Sequence, residues 1–577
     1  MKSYEQIYQY WLDSPALSED EWRELSAIGG DEAEIKSRFF APLEFGTAGL
    51  RGEMGIGLRR MNVHVVRWAT QAFADVIRAE GAPACEKGIV ICYDCRQNSE
   101  SFAREAAAVM AANGIHVRIF DELRPTPELS FAVIHYGAAA GLNITASHNP
   151  KQYNGYKVYW SDGAQLPPQH AEAIAAGMRE KDVFRDVTTM AFEEAVSEGL
   201  VEFLGGETDE AFLGKVMEQA IDPDVVKSVA DDLKIVYTPF HGTGYKLVPE
   251  ALSRLGVKHL YPEPRQMVVD GAFPTVKSPN PENPEGFYLA VELAKNVGSD
   301  LIIGTDPDAD RVGVMARGED GAYHTISGNQ MGVLLLDYII GARRRKGTLP
   351  ENAALIKTIV TTNMVRVVAE KNGVHVDETF TGFKFMAEKL AEYRRRGNAY
   401  HYLLAYEESY GYMMGDYVRD KDAVTACVLI AEMAAYHFSR GKTLIAAMED
   451  LYKQYGRFAE KTLDLVMPGL DGLEKMRCLM AGLRANPPKE IGGCPVLRMR
   501  DYQSGKVTVA DLGIVDKTEI SGSNVLYFEL QDTTSFIIRP SGTEPKIKVY
   551  ILAQGADQSQ CDEKIARYED FARTLGQ

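Results

Sequence analysis

Apolar residues recur along this chain at two spacings, and the two alternate. In 88–120, GIVICYD is a short apolar run rich in β-branched residues. Phe102, Ala106, Val109 and Met110 then follow at helical spacing behind Ser99. Gly114 breaks the helix and IHVRIF resumes a strand, which predicts a β-α-β unit. A further strand, GLNIT, runs into the polar segment ASHNP. The alternation returns in LKIVYTPF with the helical YKLVPEALSRLG, in SDLIIGTD and RVGVMA around an acidic loop, and in AALIKTIV with NMVRVVAEKNG. HYLLAYEE then leads into a loop containing Gly and Tyr. Strands alternating with helices predict α/β domains with a parallel or mixed sheet. After about residue 456 the pattern changes to strand-like KTLDLVM, VLYFEL, SFIIRP and KIKVYIL, with two helical stretches, GLEKMRCLMAGLRA and QCDEKIARYEDFARTLG. That predicts a smaller α+β domain. The opening MKSYEQIYQYWLD has Ser3 and Gln6 at capping-box spacing and Ile7 and Trp11 on one face. It predicts an amphipathic helix and lacks the basic-then-apolar plan of a leader peptide.

At 577 residues the chain is long enough for about four domains. The expected division is 1–207, 208–326 and 327–453, three related mixed-sheet α/β domains, and 454–577, a C-terminal α+β domain. No apolar run of about 18 residues occurs, so no membrane span or membrane partner is expected. The seven cysteines are odd in number and unclustered, which predicts a reducing cytoplasm rather than a disulfide framework. Cys92 and Cys95 form a CxxC with no second pair to complete a zinc site. A net charge of −18 argues against a nucleic-acid partner. It leaves room for anionic small substrates, provided that cations are gathered locally around them.

Four loops carry candidate chemistry. GTDPDADRVG places Asp306, Asp308 and Asp310 at every second position between two apolar runs. In an extended loop that period aims all three carboxylates to one side. At 4 Å each charged pair costs on the order of 4 kcal/mol in a surface-like dielectric. A hard divalent cation such as Mg²⁺ relieves this; a solvated acidic turn is the alternative. An EF-hand is excluded, because Arg311 and Arg317 stand where Gly and Glu are needed. ITASHNP sets Ser147 beside His148, with Lys157 nearby, but lacks the glycines of a hydrolase nucleophile elbow. It is either a phosphate-handling loop or a polar turn. YEESYGYMMGDYVRDKDAV offers Glu407, Glu408 and Ser409 to sugar hydroxyls, and Arg419 and Lys421 to phosphate; a charged surface loop is the alternative. In IIRPSGTEPKIKVY, Arg539 leaves a strand and Ser541, Gly542 and Thr543 form a tight polar turn. Either this is an anion cradle, with the fork of Arg donors matching phosphate, or it is an ordinary β-turn.

Taken together, FGTAGLRG (45–52), TASHNP (145–150), DPDADR (306–311), TGFK (381–384), EESYG (407–411) and RPSGTEPK (539–546) resemble the motifs of the α-D-phosphohexomutase family, of the phosphoglucomutase type. They span almost the whole chain in the family's order. The resemblance implies four domains around a central cleft, each giving a loop. It implies Ser147 as the phosphoryl carrier, and Asp306, Asp308 and Asp310 as Mg²⁺ ligands completed by a phosphoserine oxygen. Arg51, His148 and Lys157 match residues beside the phosphoserine, and Arg311 adjoins the metal loop. Thr381 and Gly382 match a loop that discriminates the two sugar orientations. Glu407 and Ser409 match residues that grip sugar hydroxyls, with Lys421 on the substrate side. Arg539, Ser541, Gly542 and Thr543 match the loop for the non-transferring phosphate. The implied activity interconverts glucose 1-phosphate and glucose 6-phosphate, with glucose 1,6-bisphosphate as activator and intermediate. Phosphopentomutase, phosphomannomutase and bisphosphate synthesis are alternatives within the resemblance, and a Mg²⁺-dependent sugar phosphatase or a non-catalytic sensor are alternatives outside it. Ala423 departs from the Gly that many relatives have after DKD. A phosphosugar is the expected partner, and the chain is expected to be a monomer or weak dimer.

Overall fold

A computed structural model describes residues 3–46, 49–467, 472–510, 512–541 and 546–576. They fall into two compact units: 1–328 with 386–398 and 403–444, and 329–385 with 399–402 and 445–577.

The first unit opens with the expected helix, Tyr4–Leu12, capped by a reciprocal Ser3–Gln6 box, with Tyr8 and Trp11 buried. Trp11 and Phe39 meet edge to face, and Trp11 stacks similarly on Phe184. Its first sheet contains β1 (Leu50–Glu53), β2 (Ile89–Tyr93), β3 (Val117–Phe120), β4 (Ala140–Ile144), β5 (Tyr153–Trp160) and β6 (Val201–Leu204), in the order β1-β5-β4-β2-β3-β6. β2, β3, β4 and β6 are parallel, whereas β5 is antiparallel to β4 and β1. Every residue of β2 and β4 is buried, which explains their unbroken apolar runs. The predicted helix spans Ser99–Ala112, and Gly114 takes a left-handed φ of 74° after it. The second sheet contains β7 (Lys234–Thr238), β8 (His259–Pro262), β9 (Leu301–Thr305), β10 (Val312–Arg317) and β11 (Tyr323–Ile326), in the order β11-β10-β9-β7-β8. β10-β9-β7-β8 repeats β5-β4-β2-β3, with the same parallel core and the same antiparallel outer strand. Further along, Ala405–Glu407 and Gly411–Met413 pair antiparallel.

In the second unit, Ala353–Thr358 and His375–Thr379 pair in parallel, and Thr362 caps the helix Asn363–Lys371. Its C-terminal sheet is antiparallel throughout. Its order is Arg457–Val466, Lys546–Gly555, Ser535–Pro540, Leu526–Leu530, Cys494–Asp501, Lys506–Val509, Gly513–Lys517, with Glu490–Ile491 added beside Cys494–Asp501. Helices Gly472–Ala485 and Gln558–Thr574 accompany it. Met480, Phe528, Phe536, Ile551 and Tyr568 form its core. A second cluster joins Ile359, Val360 and Phe380 to Tyr502, Tyr527 and Ile537. The apolar pattern predicted four strands in this region; Glu490–Ile491, Cys494–Asp501, Lys506–Val509 and Gly513–Lys517 are additional. In Cys494–Asp501 a register shift between Val496 and Arg498 breaks the alternation, so buried positions run 494, 496, 499, 501. The whole is α/β, with mixed sheets followed by a sheet-rich C-terminal part. No helix among the described residues is long and apolar enough to cross a membrane.

Candidate active site

Two loops occupy equivalent places in the two repeated sheets. Residues 145–152 join β4 to its antiparallel neighbour β5, and 306–311 join β9 to β10. Both leave the carboxyl end of a strand, the edge where open α/β sheets gather ligands.

In the first loop Ser147 is buried and has φ 53°, a left-handed conformation rare for a residue with a Cβ. Its N–H donates to Thr145 Oγ1 (2.8 Å). Its Oγ donates to Asp306 Oδ2 (3.1 Å) and lies 3.2 Å from His148 Nδ1. Burial, with Arg311 and Arg51 nearby, pushes the His148 imidazole well below its ordinary pKa. β1 lies beside β5 with Arg51 opposite Gly155, and Arg51 donates to Asn149 Oδ1 (3.1 Å). Only glycine fits at 155, since a Cβ there would stand 2.5 Å from Thr145 O and 3.0 Å from Leu50 O.

In the second loop the carboxylates of Asp306, Asp308 and Asp310 each offer an oxygen within 4.8 Å of the others, and all three residues are buried. A turn brings them together, with Ala309 at φ 47°; the alternation of an extended chain, which the sequence suggested, does not. Asp306 Oδ1 accepts the N–H groups of Asp310 and Arg311 (3.1 and 3.0 Å), which closes that turn. Thr243 N–H donates to Pro307 O (2.8 Å), and a Cβ on Gly242 would meet Pro307 Cα at 2.4 Å. From the start of the helix Thr126–His135, Thr126 donates its hydroxyl to Asp308 Oδ2 and its N–H to Asp308 O, both at 2.8 Å. Lys157 Nζ lies 2.6 Å from Asp308 Oδ2, and Lys421 Nζ lies 3.1 Å from Asp310 Oδ2.

Burial and the two neighbouring carboxylates push Asp306 well above the usual carboxylate range. Burial also opposes charge on Asp308, but Lys157 and Thr126 hold it below that range. The set fits a hard divalent cation. Asp308 Oδ1 and Asp310 Oδ1 are buried and accept no hydrogen bond from the described residues, and all the acidic donors are oxygens.

A third segment is stitched to the second. Val312 N–H donates to Tyr410 O (3.1 Å), Arg311 bridges to Gly411, and Ala423 N–H donates to Ala309 O (3.3 Å). Glu407 is buried, with Ser409 Oγ 3.4 Å from its Oε2. Arg311 pairs with Glu282 at 2.7 Å. Lys421 is flanked by Asp310 and Asp420, which outweigh its burial and keep the ammonium charged. Ala423 begins the helix Ala423–Phe438 behind the N-cap Asp422 and is buried. Arg419, which the sequence offered to phosphate, is buried. Its guanidinium donates to Asp416 O and Val418 O of its own loop and pairs with Asp416.

In the first unit, then, Ser147, His148, Lys157, Arg51, Asp306, Asp308, Asp310, Arg311, Glu407, Ser409 and Lys421 lie on three interlocked loops and the strands flanking them. Thr381, Gly382, Arg539 and Ser541 lie in the second. There Thr381 Oγ1 is buried without a hydrogen-bond partner among the described residues, and Gly382 has φ 122°. Arg539 donates to Tyr550 Oη (3.3 Å), and Ser541 N–H donates to Lys546 O (2.8 Å). Gly542 and Thr543 lie outside the described residues.

Sequence reasoning missed Arg96, Thr126, Thr145, Glu282 and Asp420, which touch residues of the site, and Asp94, which reaches it through Thr145 and Arg96. Asp94 and Arg96 follow β2 in YDCRQNS, at the sheet edge where ligands gather, and that position was the available signal. Asp420 adjoins Lys421, and its carboxylate also accepts from Tyr159 and Gln165. Thr126 and Glu282 carry no comparable mark.

Against known proteins, residues 42–184, 210–319 and 327–455 match the models of phosphoglucomutase/phosphomannomutase α/β/α domains I, II and III. The chain is 35% identical over 542 residues to a phosphoglucomutase of Staphylococcus aureus (strain MRSA252), covering 92% of this chain and 94% of that one. It is 33% identical over 532 residues to a phosphoglucomutase of Staphylococcus haemolyticus, covering 92% and 94%. Among solved structures, the open form of parafusin (phosphoglucomutase) from Paramecium shares the fold, with a TM-score of 0.66, 18% identity and coverage of 92% and 94%. Loops, sheets and relatives agree, and the chain belongs to the phosphoglucomutase/phosphomannomutase family.

Proposed function

We propose that this protein is a phosphoglucomutase that interconverts glucose 1-phosphate and glucose 6-phosphate through a phosphoserine at Ser147. One observation carries the reading: the Ser147 hydroxyl lies 3.1 Å from Asp306, one of three buried, converging aspartates. A hydrolytic serine needs oxyanion donors opposite it. This one faces carboxylates, a setting suited to a phosphoryl group held through a divalent cation. That relatives at 33–36% identity are phosphoglucomutases supports the glucose phosphates as substrates.

In the first half-reaction the P–O bond to Ser147 Oγ breaks and a new P–O bond forms to the free sugar hydroxyl, giving glucose 1,6-bisphosphate. That hydroxyl loses its proton and Ser147 Oγ gains one. His148 Nδ1, 3.2 Å from Oγ, and Lys157, beside Asp308, are within reach of the proton path. The second half-reaction returns the other phosphoryl to Ser147. Asp306, Asp308 and Asp310, with a phosphoserine oxygen, would hold Mg²⁺. Bound there, Mg²⁺ supplies charge neutralisation to the transferring phosphoryl. Arg51 and Arg311 add positive charge, and Glu407 and Ser409 exchange hydrogen bonds with the sugar, beside Lys421. Thr381 and Gly382 are assigned to sugar orientation, and Arg539, Ser541, Gly542 and Thr543 to the phosphate that stays. The free thiols of all seven cysteines support a cytoplasmic location.

The test is a panel of glucose, mannose, N-acetylglucosamine and pentose 1-phosphates with catalytic bisphosphate present, run alongside intact-mass measurement. Glucose 1-phosphate is expected to turn over fastest, and the bisphosphate to add one phosphoryl group to the protein. Ser147→Ala should lose that gain and at least about 1000-fold in kcat. Turnover undiminished in Ser147→Ala would overturn the phosphoserine mechanism. Steady release of free phosphate would mark a phosphatase instead.

A further inference from the structure

A single buried ion pair reaches both ends of the Ser147 backbone, the carbonyl directly and the N–H through Thr145. Arg96 is 3% exposed, and its guanidinium touches none of the reacting atoms. One of its terminal nitrogens donates to Ser147 O (2.6 Å) and to Asn149 O, and the other to Pro150 O (2.9 Å) and Tyr153 O (3.0 Å). Its Nε lies 3.2 Å from Asp94 Oδ2. The same Asp94 oxygen accepts the Thr145 hydroxyl (2.6 Å), and Thr145 Oγ1 in turn accepts Ser147 N–H (2.8 Å). The ring is closed: Ser147 N–H leads through Thr145 to Asp94, and Ser147 C=O leads directly to Arg96.

The clamp is itself packed in place. Asp94 Oδ1 accepts Ser99 Oγ (2.7 Å) and Arg96 N–H (2.9 Å). The Phe273 ring lies 5.1 Å from the guanidinium carbon. A Cβ on Gly271 would come within 2.7 Å of Arg96 Cα, so that backbone fits closely against it.

We infer that Arg96, with Asp94, is a positioning residue for phosphoryl transfer: it holds Ser147 in the left-handed conformation that aims Oγ at the aspartate triad. The inference rests on Ser147 being the phosphoryl carrier. A planar fork can serve four carbonyls at once, and a lysine ammonium cannot. In the loading step, the sugar–phosphate P–O bond of glucose 1,6-bisphosphate breaks and a P–O bond to Oγ forms. The serine proton leaves, and the released sugar oxygen takes one up. Misplacing Oγ slows this step while the sugar-binding groups stay put.

The variants are Arg96→Lys, Arg96→Gln and, as a small change on the amide side of the ring, Thr145→Val. Each is compared with the unaltered protein in phosphoryl loading by intact mass, in kcat and KM per folded molecule, in thermal midpoint and by crystallography of the loop. Arg96→Gln is expected to lower loading and kcat about 100-fold, with KM within about twofold. Arg96→Lys should recover part of that loss, and Thr145→Val should fall between them. In crystals, Ser147 should leave its positive φ. If only the thermal midpoint falls while kcat per folded molecule and the Ser147 conformation stay as they are, Arg96 is merely structural and the inference is overturned. Should the Arg96 variants fail to fold, an unchanged Thr145→Val overturns it equally. Absence of phosphoryl on Ser147 of the unaltered protein would refute the catalytic reading instead, and the variant crystal structures would still decide whether the clamp sets the serine.

Discussion

Thr126 reaches Asp308 from the first turn of the helix Thr126–His135, with its hydroxyl on Oδ2 and its N–H on the backbone carbonyl. Its Oγ1 also accepts from Asn143 Nδ2 (2.7 Å), so the hydroxyl proton is directed at the carboxylate. A group that orients a metal-binding carboxylate in this way commonly governs affinity about 10–100-fold. Thr126→Val keeps the volume and removes the donor, and Mg²⁺ binding measured by calorimetry should weaken by about that factor. Unchanged affinity would remove Thr126 from the site. At this scale the resemblance of short motifs made Ser147 and the aspartates legible. Their partners were not legible, because a contact such as Thr126–Asp308 spans 182 residues and leaves no local pattern. The convergence of the aspartates was foreseen for the wrong reason, since a turn at Ala309 achieves it.

Among elements, the two repeated sheets put their functional loops at the same antiparallel junction, so the positions of strands and loops decide where chemistry can occur. The apolar runs made β2, β4, β7 and β9 legible because these strands are buried on both faces. The C-terminal strands from 490 to 517 were hidden by a bulge and by exposed positions such as Leu497 and Arg498. The approach of β1 and of the serine loop to β5 depends on Gly155. A methyl group at that position meets two backbone oxygens, which cannot swing aside as side chains do. Gly155→Ala should therefore destabilise the first unit by about 1–3 kcal/mol. It should also displace Arg51 from Asn149. Urea unfolding and the kcat of the folded fraction measure the two effects, and a variant equal to the parent in both would show that the sheet adapts at no cost.

For the whole molecule, charge is the governing property. A chain of net charge −18 gathers Arg51, Lys157, Arg311 and Lys421 around three buried aspartates, so cations stand where the acidic chain concentrates its buried carboxylates. Another acid contributes to how stability responds to pH. Burial pushes Glu460, in the second unit, up to about 7, against the opposing pull of Thr362, Asn329 and Lys357. Its ordinary value is 4.5. Between the two values the folded chain holds a proton that the unfolded chain has released, so stability falls as pH rises from about 4.5 to 7. Above that window the folded protein carries a desolvated, half-buried carboxylate, and below it both states are protonated and no penalty exists. Glu460→Gln keeps a neutral polar group at every pH. It should stabilise the second unit by about 1–3 kcal/mol at pH 8 and change little at pH 4. A chain of several domains need not unfold in one step, so the quantity to compare is the urea midpoint of the transition that reports the second unit. Equal gains at both pH values would mean that packing, rather than the proton on Glu460, is responsible. A loss at pH 8 would mean that the carboxylate is stabilised by its neighbours after all.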